Sequence, residues 1–159
     1  MADTEDPELA LADHAQALAD GIEGVLDKWV VGCVVDRVTA WRGSVDPELR
    51  AAAHEAGQRC RDEVGPEVRG LLLADIDAQS GTPLTILRRA VSYPTEVLAG
   101  AGVPHVVRDG FAERMFPDDV YGLAPASLAD IDPSLGELGI AWGAAKAFEH
   151  RRRHRNPRP

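Results

Sequence analysis

Asp118 and Asp119 belong to the first group of side chains that can do chemistry in this chain. They lie between Pro117 and Tyr121, shortly after Arg114. Paired carboxylates, a phenol and a guanidinium on one exposed loop can hold a small ligand, a divalent ion or a partner's basic side chain. The alternative is a turn in which the carboxylates cap backbone N–H groups.

Asp75 is the centre of a second group. On a helical wheel it falls inside the apolar face of its predicted helix, with Gln79 one turn further along the same side. Burying a carboxylate is costly without a partner. We therefore expect Asp75 to be mostly buried and bonded to a side chain in the next helix, after Thr82, where Arg88 and Tyr93 are the nearest candidates in sequence. A ligand site is the alternative to this structural link.

The two groups could form one site. If a kink at Pro94 opens a polar cleft between helices, six of these residues converge there. They are Asp75, Gln79, Arg88, Tyr93, Asp118 and Asp119.

His150 and His154 are four residues apart on the last predicted helix, which is the spacing of two metal ligands. Flanking arginines repel a cation and no third ligand is nearby. The acidic stretches that begin at Asp75 and Asp130 lack the glycine and the glutamate that a calcium loop needs. We expect neither a metal nor a cofactor.

The only basic patch lies at the end of the chain, where Arg151, Arg152, Arg153 and Arg155 can contact RNA or DNA phosphates. Alternatively, these arginines complement the dipole of the last helix and pair with the acidic first helix. Residues 1–27 contain eight acidic residues and no Lys or Arg.

Proline steps predict where the helices that position these residues begin. Asp or Thr followed by Pro supplies a capping side chain and a residue suited to the first turn. Four such steps occur, at Asp6-Pro7, Asp46-Pro47, Thr82-Pro83 and Asp132-Pro133. The valine-rich stretch 29–38 has strand propensity, but its spacing favours a helix that ends at Gly43. We expect Gly65-Pro66 to interrupt the second helix and Pro94 to kink or restart a later one.

The helix predicted after Pro83 has one apolar face and one polar face. Apolar residues share one face, and Thr85, Arg89, Ser92 and Glu96 share the opposite one. A short helix follows around residues 109–116. In the last helix, small residues recur every three or four positions, which favours close packing or dimerisation: Gly136, Gly139, Gly143 and Ala147.

Length and composition indicate one folded unit. The chain has 159 residues, 45% of them hydrophobic and 27% charged, with a net charge of -9. Cys33 and Cys60 lie among apolar residues, so we expect reduced core thiols. No apolar stretch is long enough to cross a membrane, and the acidic N-terminus argues against export. We predict an all-α cytoplasmic protein: one compact domain of five to seven helices over residues 1–155, an irregular segment near residues 117–132, and a frayed basic tail at 156–159.

The stretch from Leu71 to Tyr121 is similar to segments of other proteins. Its segments TPLTILRRAVSYPTEVL and FPDDVY, with WGAAKA near the end of the chain, resemble those of a group of uncharacterised small helical proteins from actinobacteria. The resemblance implies no activity and no catalytic residue.

No nucleophile–base pair or metal set is recognisable, so the sequence favours a protein–protein interaction or regulatory module over an enzyme. Its partner is unknown, and the small-residue stripe offers a homo-oligomer contact through the last helix. The alternative is a small-molecule-binding protein or enzyme with a polar cleft around Asp75 and Asp118. A second alternative is RNA or DNA contact through the arginine-rich tail.

Overall fold

The structure is a computed structural model that describes residues 7–79 and 81–154. Within these residues there are six α-helices, two short 3-10 turns and no β-strand, so the predicted all-α fold is confirmed. The helices are α1 (Pro7–Arg42), α2 (Pro47–Leu73), α3 (Pro83–Arg89), α4 (Ser92–Gly100), α5 (Gly110–Met115) and α6 (Ser134–His154). The 3-10 turns are Ile76–Ala78 and Leu128–Asp130. Asp6, Arg155 and the tail 156–159 lie outside the described residues.

The helix α1 includes the valine-rich stretch 29–38 as part of one continuous helix. Val34 and Val38 are fully buried at helical spacing against Leu49 of α2 and Leu98 of α4. Burial of this stripe outweighs the strand propensity of valine, because packing contributes more than intrinsic preference. Gly43 follows the helix with a φ of +86°, a left-handed conformation that suits glycine, so the predicted end is confirmed.

The helix α2 runs through Pro66 without a break, so the predicted interruption there is wrong. Proline costs a helix one N–H bond and crowds a carbonyl, but here the flanking Val64 and Val68 are both buried in the main core. Arg69, one turn later, binds Glu23 of α1 with Nε–Oε2 2.8 Å. Tertiary contacts on both sides of the proline thus keep the helix intact.

Side-chain caps begin three of the later helices. Asp46 accepts from the N–H of Leu49, Thr82 from that of Thr85, and Asp109 from that of Ala112. Pro94 lies in the first turn of α4, just after the break that follows α3, which confirms the predicted restart. Segment 117–132 is irregular except for its 3-10 turn, as predicted.

The core surrounds α1, which packs along α2 and also contacts α4 and α6. A larger apolar cluster joins α1, α2, α3 and α6, and a smaller one joins the C-terminal half of α1 to α2, α4 and Tyr121. Gly139 of α6 packs against the 3-10 turn, where an added Cβ would lie 2.6 Å from Cδ1 of Leu128. Part of the small-residue stripe is therefore covered by the chain itself. Among the helices described, none has a sufficiently long apolar stretch to traverse a bilayer.

Candidate functional site

A cleft of about 630 Å³ lies where α3 and α4 meet the segment after α5. The break between the two helices at Ala90 and Val91 borders the cavity, since Val91 and Ser92 both line it. The lining comes from α3, α4 and segment 115–124: Thr85, Arg88, Arg89, Val91, Ser92, Thr95, Glu96, Met115, Phe116, Pro117, Asp118, Asp119 and Ala124. We refer to this set of residues as the cleft.

One wall of the cleft is the polar face of α3 and α4. All four residues that the helical spacing assigns to that face line the cavity. Thr95 lies beside them, and its buried hydroxyl has no hydrogen-bond partner among the described residues. An unpaired buried hydroxyl is costly. A ligand whose polar group displaced the atoms covering this hydroxyl would supply the missing hydrogen bond.

The opposite wall is largely apolar and is held in place by Arg88. The guanidinium carbon of Arg88 lies 5.8 Å from the centre of the Phe116 ring, and its Nε donates to the carbonyl of Pro125 over 3.0 Å. Met115, Pro117 and Ala124 complete this side. Arg88 thus fastens the irregular segment to α3 and serves as part of the wall.

Asp118 and Asp119 are adjacent but have different surroundings. Asp119 is buried, and its two carboxylate oxygens accept from the N–H groups of Leu123 and Ala124 over 2.7 and 2.8 Å. Asp118 is exposed and has no hydrogen-bond partner within the described part of the chain. The turn that we considered as an alternative is therefore present, but only Asp119 makes it.

Acidic side chains outnumber basic ones in the lining of the cleft, where Glu96, Asp118 and Asp119 lie with Arg88 and Arg89. Arg89 is paired with Glu67, with Nη2–Oε2 2.7 Å, and Arg88 is bonded to backbone carbonyls. Glu96 and Asp118 are exposed carboxylates that no described side chain pairs with. Exposed carboxylates attract cations and repel anions. The cleft is therefore better suited to neutral or cationic molecules than to acids.

The structure brings together three of the residues predicted to converge, namely Arg88, Asp118 and Asp119. The other five candidate ligand residues lie outside the cleft, and three of them, Asp75, Gln79 and Tyr93, were predicted to converge there. Tyr93 donates to Glu63, and burial together with this bond raises the pKa of the phenol. Tyr121 is buried and donates to the carbonyl of Val103 over 2.7 Å. The remaining three are Asp75, Gln79 and Arg114, of which Arg114 is exposed on α5.

The expectation that Asp75 is buried and bonded to Arg88 or Tyr93 is wrong. Its side chain is 56% exposed, and its Oδ1 accepts from Nη1 of Arg153 over 2.8 Å. The bond to Arg153 holds the pKa of the carboxyl below its ordinary value. The reason for the error is local: α2 ends at Leu73, so the helical wheel was extended past the last helical residue. Asp75 instead caps the 3-10 turn Ile76–Ala78.

Thr95 and Phe116 line the cleft without being predicted. Thr95 had a signal, because it follows Ser92 by three residues and therefore shares its side of the helix. Phe116 had none, since its position depends on the course of an irregular segment.

A group of ion pairs at the end of α6 engages the predicted nucleic-acid-binding arginines. Glu149, whose side chain has no exposure, accepts from Arg152 over 2.8 Å and from Arg153 over 2.7 Å. Arg153 also binds Asp75 and Asp77 in the segment after α2. We call these five residues the α6 ion cluster. Arg151 is exposed, Arg155 lies outside the described residues, and nucleic-acid contact stays a prediction.

The two histidines of α6 do have a third polar side chain beside them, which corrects the sequence-based expectation. Nε2 of His154 lies 3.6 Å from Oδ1 of Asp77, and the rings of His150 and His154 have their centres 4.4 Å apart. Asp77 is more than 70 residues away along the chain. Only the fold brings these groups together.

The thiols of Cys33 and Cys60 are both free, as predicted. Burial raises the pKa of each to about 12. A thiol with so high a pKa is protonated at neutral pH and is a poor nucleophile.

Comparisons with protein-family models, curated proteins and solved structures find no match for this chain. The resemblance to small actinobacterial proteins stays a prediction.

Proposed function

We propose that this protein binds a small organic molecule in the cleft. The observation that carries the proposal is a cavity of about 630 Å³ whose lining includes Thr95, a residue with a buried hydroxyl that has no partner among the described residues. Ligand sites typically measure about 300 to 1,000 Å³ and combine apolar walls with a few polar groups. The cleft has both properties.

The lining defines the class of ligand. Val91 and Phe116 offer apolar surface to the body of a ligand, and Thr95 adds a polar side chain to the lining. Glu96 and Asp118 contribute negative charge, whereas Arg89 is neutralised by Glu67. We therefore propose a neutral or cationic ligand.

The test is a screen of neutral and cationic fragments by protein-observed NMR. We expect some fragments to shift amide signals of residues 85–96 and 115–124. Ser92→Trp places a bulky side chain in the lining and should abolish these shifts. Ser44→Trp is the matched control, because Ser44 is exposed in the connection between α1 and α2 and does not line the cleft.

Two outcomes contradict the proposal. One is a screen in which no fragment shifts the cleft signals of the wild-type protein. The other is a set of fragments that bind Ser92→Trp as well as they bind Ser44→Trp, since such fragments occupy another surface.

Three expectations from the sequence stay predictions: the protein-interaction role, the cytoplasmic setting and a homo-oligomer through α6.

One observation bears on the protein-interaction role. Val107 is fully exposed, and Phe111 and Met115 are more than half exposed on one side of α5. Affinity capture with crosslinking, compared between the wild type and Phe111→Ser, tests it: a stoichiometric partner that depends on Phe111 favours the module. A metabolite that copurifies without any protein partner favours the cleft.

A further inference from the structure

Three side chains that can bind a metal meet where the segment after α2 contacts the end of α6. Asp77, His150 and His154 each offer one ligand atom, and these three atoms all lie within 4.8 Å of one another. The closest measured pair is Nε2 of His154 and Oδ1 of Asp77, at 3.6 Å. Ligand atoms about 2.0 to 2.2 Å from a tetrahedral zinc ion are roughly 3.4 Å apart. Small side-chain rotations therefore suffice to enclose an ion.

The fold places these ligands by two separate means. His150 and His154 are one turn apart on α6, so their rings lie on the same side of the helix. Asp77 belongs to the 3-10 turn, which Asp75 caps by accepting from the N–H of Asp77 over 2.9 Å. The site thus joins two elements that are distant in the sequence.

Arg153 binds one carboxylate oxygen of Asp77 and leaves the other facing His154. Its Nη1 donates to Oδ2 of Asp77 over 3.1 Å, while the other oxygen, Oδ1, faces His154. Hydrogen bonds of this kind fix ligand orientation in metal sites. Arg153 is itself bonded to Asp75 and Glu149, so its own position is braced.

Repulsion from the arginine run is reduced by the α6 ion cluster. Arg152 and Arg153 are bonded to Glu149, and Arg153 is bonded to both aspartates. Three carboxylates thus lie against two guanidinium groups. This neutralisation could not be anticipated from the sequence alone, because the two aspartates come from another part of the chain.

We propose that Asp77, His150 and His154 form a binding site for Zn²⁺. Two imidazoles and one carboxylate are ligands that zinc accepts, with water completing the fourth position. Magnesium and calcium prefer sites made of oxygen atoms only, so they are excluded as preferred occupants. None of the three residues lines the cleft, and the zinc site is therefore independent of the proposed function.

The test is isothermal titration of the untagged full-length protein with ZnCl₂. We expect one zinc ion per chain and a rise in Tm on zinc addition, since a ligand that binds only the folded state stabilises it. Asp77→Asn and His154→Ala should each weaken zinc binding by about tenfold or more. His54→Ala is the matched control, because His54 is an exposed histidine in the N-terminal half of α2 and its loss should leave the affinity unchanged.

Several results would overturn the proposal. The first is absence of saturable binding at zinc concentrations up to about 100 μM. The second is wild-type affinity in Asp77→Asn, which would mean that the histidine pair binds zinc without the carboxylate. The third is an equal loss of affinity in His54→Ala. Because the replaced ligands are exposed, circular dichroism of each variant without zinc verifies that it is folded.

Discussion

The cleft and the α6 ion cluster differ in how far the hydrogen-bonding capacity of their polar side chains is used. In the ion cluster, Glu149 and Arg153 bind several partners each, and the carboxylate with no solvent exposure is the one with two guanidinium groups. In the cleft, the Thr95 hydroxyl is buried without a partner, and Asp118 is exposed without one. The first arrangement stabilises the fold, whereas the second leaves hydrogen-bonding capacity for a ligand.

The difference arises from the elements that form each region. The ion cluster joins the end of a 21-residue helix to a capped turn, so its side chains are held by regular backbone on one side. The cleft is bounded by two short helices and an irregular segment. Arg88, Arg89 and Asp119 are paired groups within the cleft, and the bonds of Asp119 support the shape of that segment. Substitutions in the two regions should therefore separate structural groups from groups available for binding.

Asp119→Ala should have the largest effect. It removes the acceptor of the Leu123 and Ala124 N–H groups, and we expect a loss of about 3 kcal/mol in the free energy of unfolding, measured with urea. Asp118→Ala is a matched control in the neighbouring residue, with an expected change of about 0.5 kcal/mol or less. Equal changes in the free energy of unfolding for the two substitutions would contradict the structural role assigned to the hydrogen bonds of Asp119.

Glu149→Gln should destabilise the protein by about 1 to 2 kcal/mol, a figure reduced for the partial exposure of both arginines. Hydrogen bonds from Arg152 and Arg153 hold the pKa of Glu149 below its ordinary value of 4.5. Its stabilising contribution is therefore complete above that value and is lost as the pH falls through the lowered pKa.

Urea unfolding of the wild type and Glu149→Gln between pH 7 and pH 3 tests this dependence. The difference in stability should be constant near neutrality and should shrink in acid. Asp118→Asn is the control, because its side chain is exposed and has no partner among the described residues. A stability difference that is independent of pH would contradict the role assigned to the Glu149 charge.

Residues that depend on local chemistry could be predicted from the sequence. Asp46 and Thr82 cap helices because cap and proline are adjacent, and the polar face of α3 and α4 follows from helical spacing. Pro66 was misjudged because packing on both of its sides preserves the helix. The positions of Asp75 and Asp77 could not be predicted, since no glycine or proline marks the end of α2 at Leu73.

Thr95→Val should produce the smallest effect and the only one of opposite sign. The substitution removes a buried hydroxyl that has no partner and replaces it with a methyl group of similar size, so the free energy of unfolding should rise by about 1 kcal/mol. Thr85→Val is the control, because Thr85 also lines the cleft but its hydroxyl lies 3.2 Å from that of Thr82, within hydrogen-bonding distance. We expect no gain there. If Thr95→Val gains stability while losing the fragments that bind the wild type, the hydroxyl is retained at a cost to the fold because it contacts a ligand. If Thr95→Val instead loses stability, the hydroxyl has a structural partner. Thr95 would then not differ from the paired groups of the α6 ion cluster.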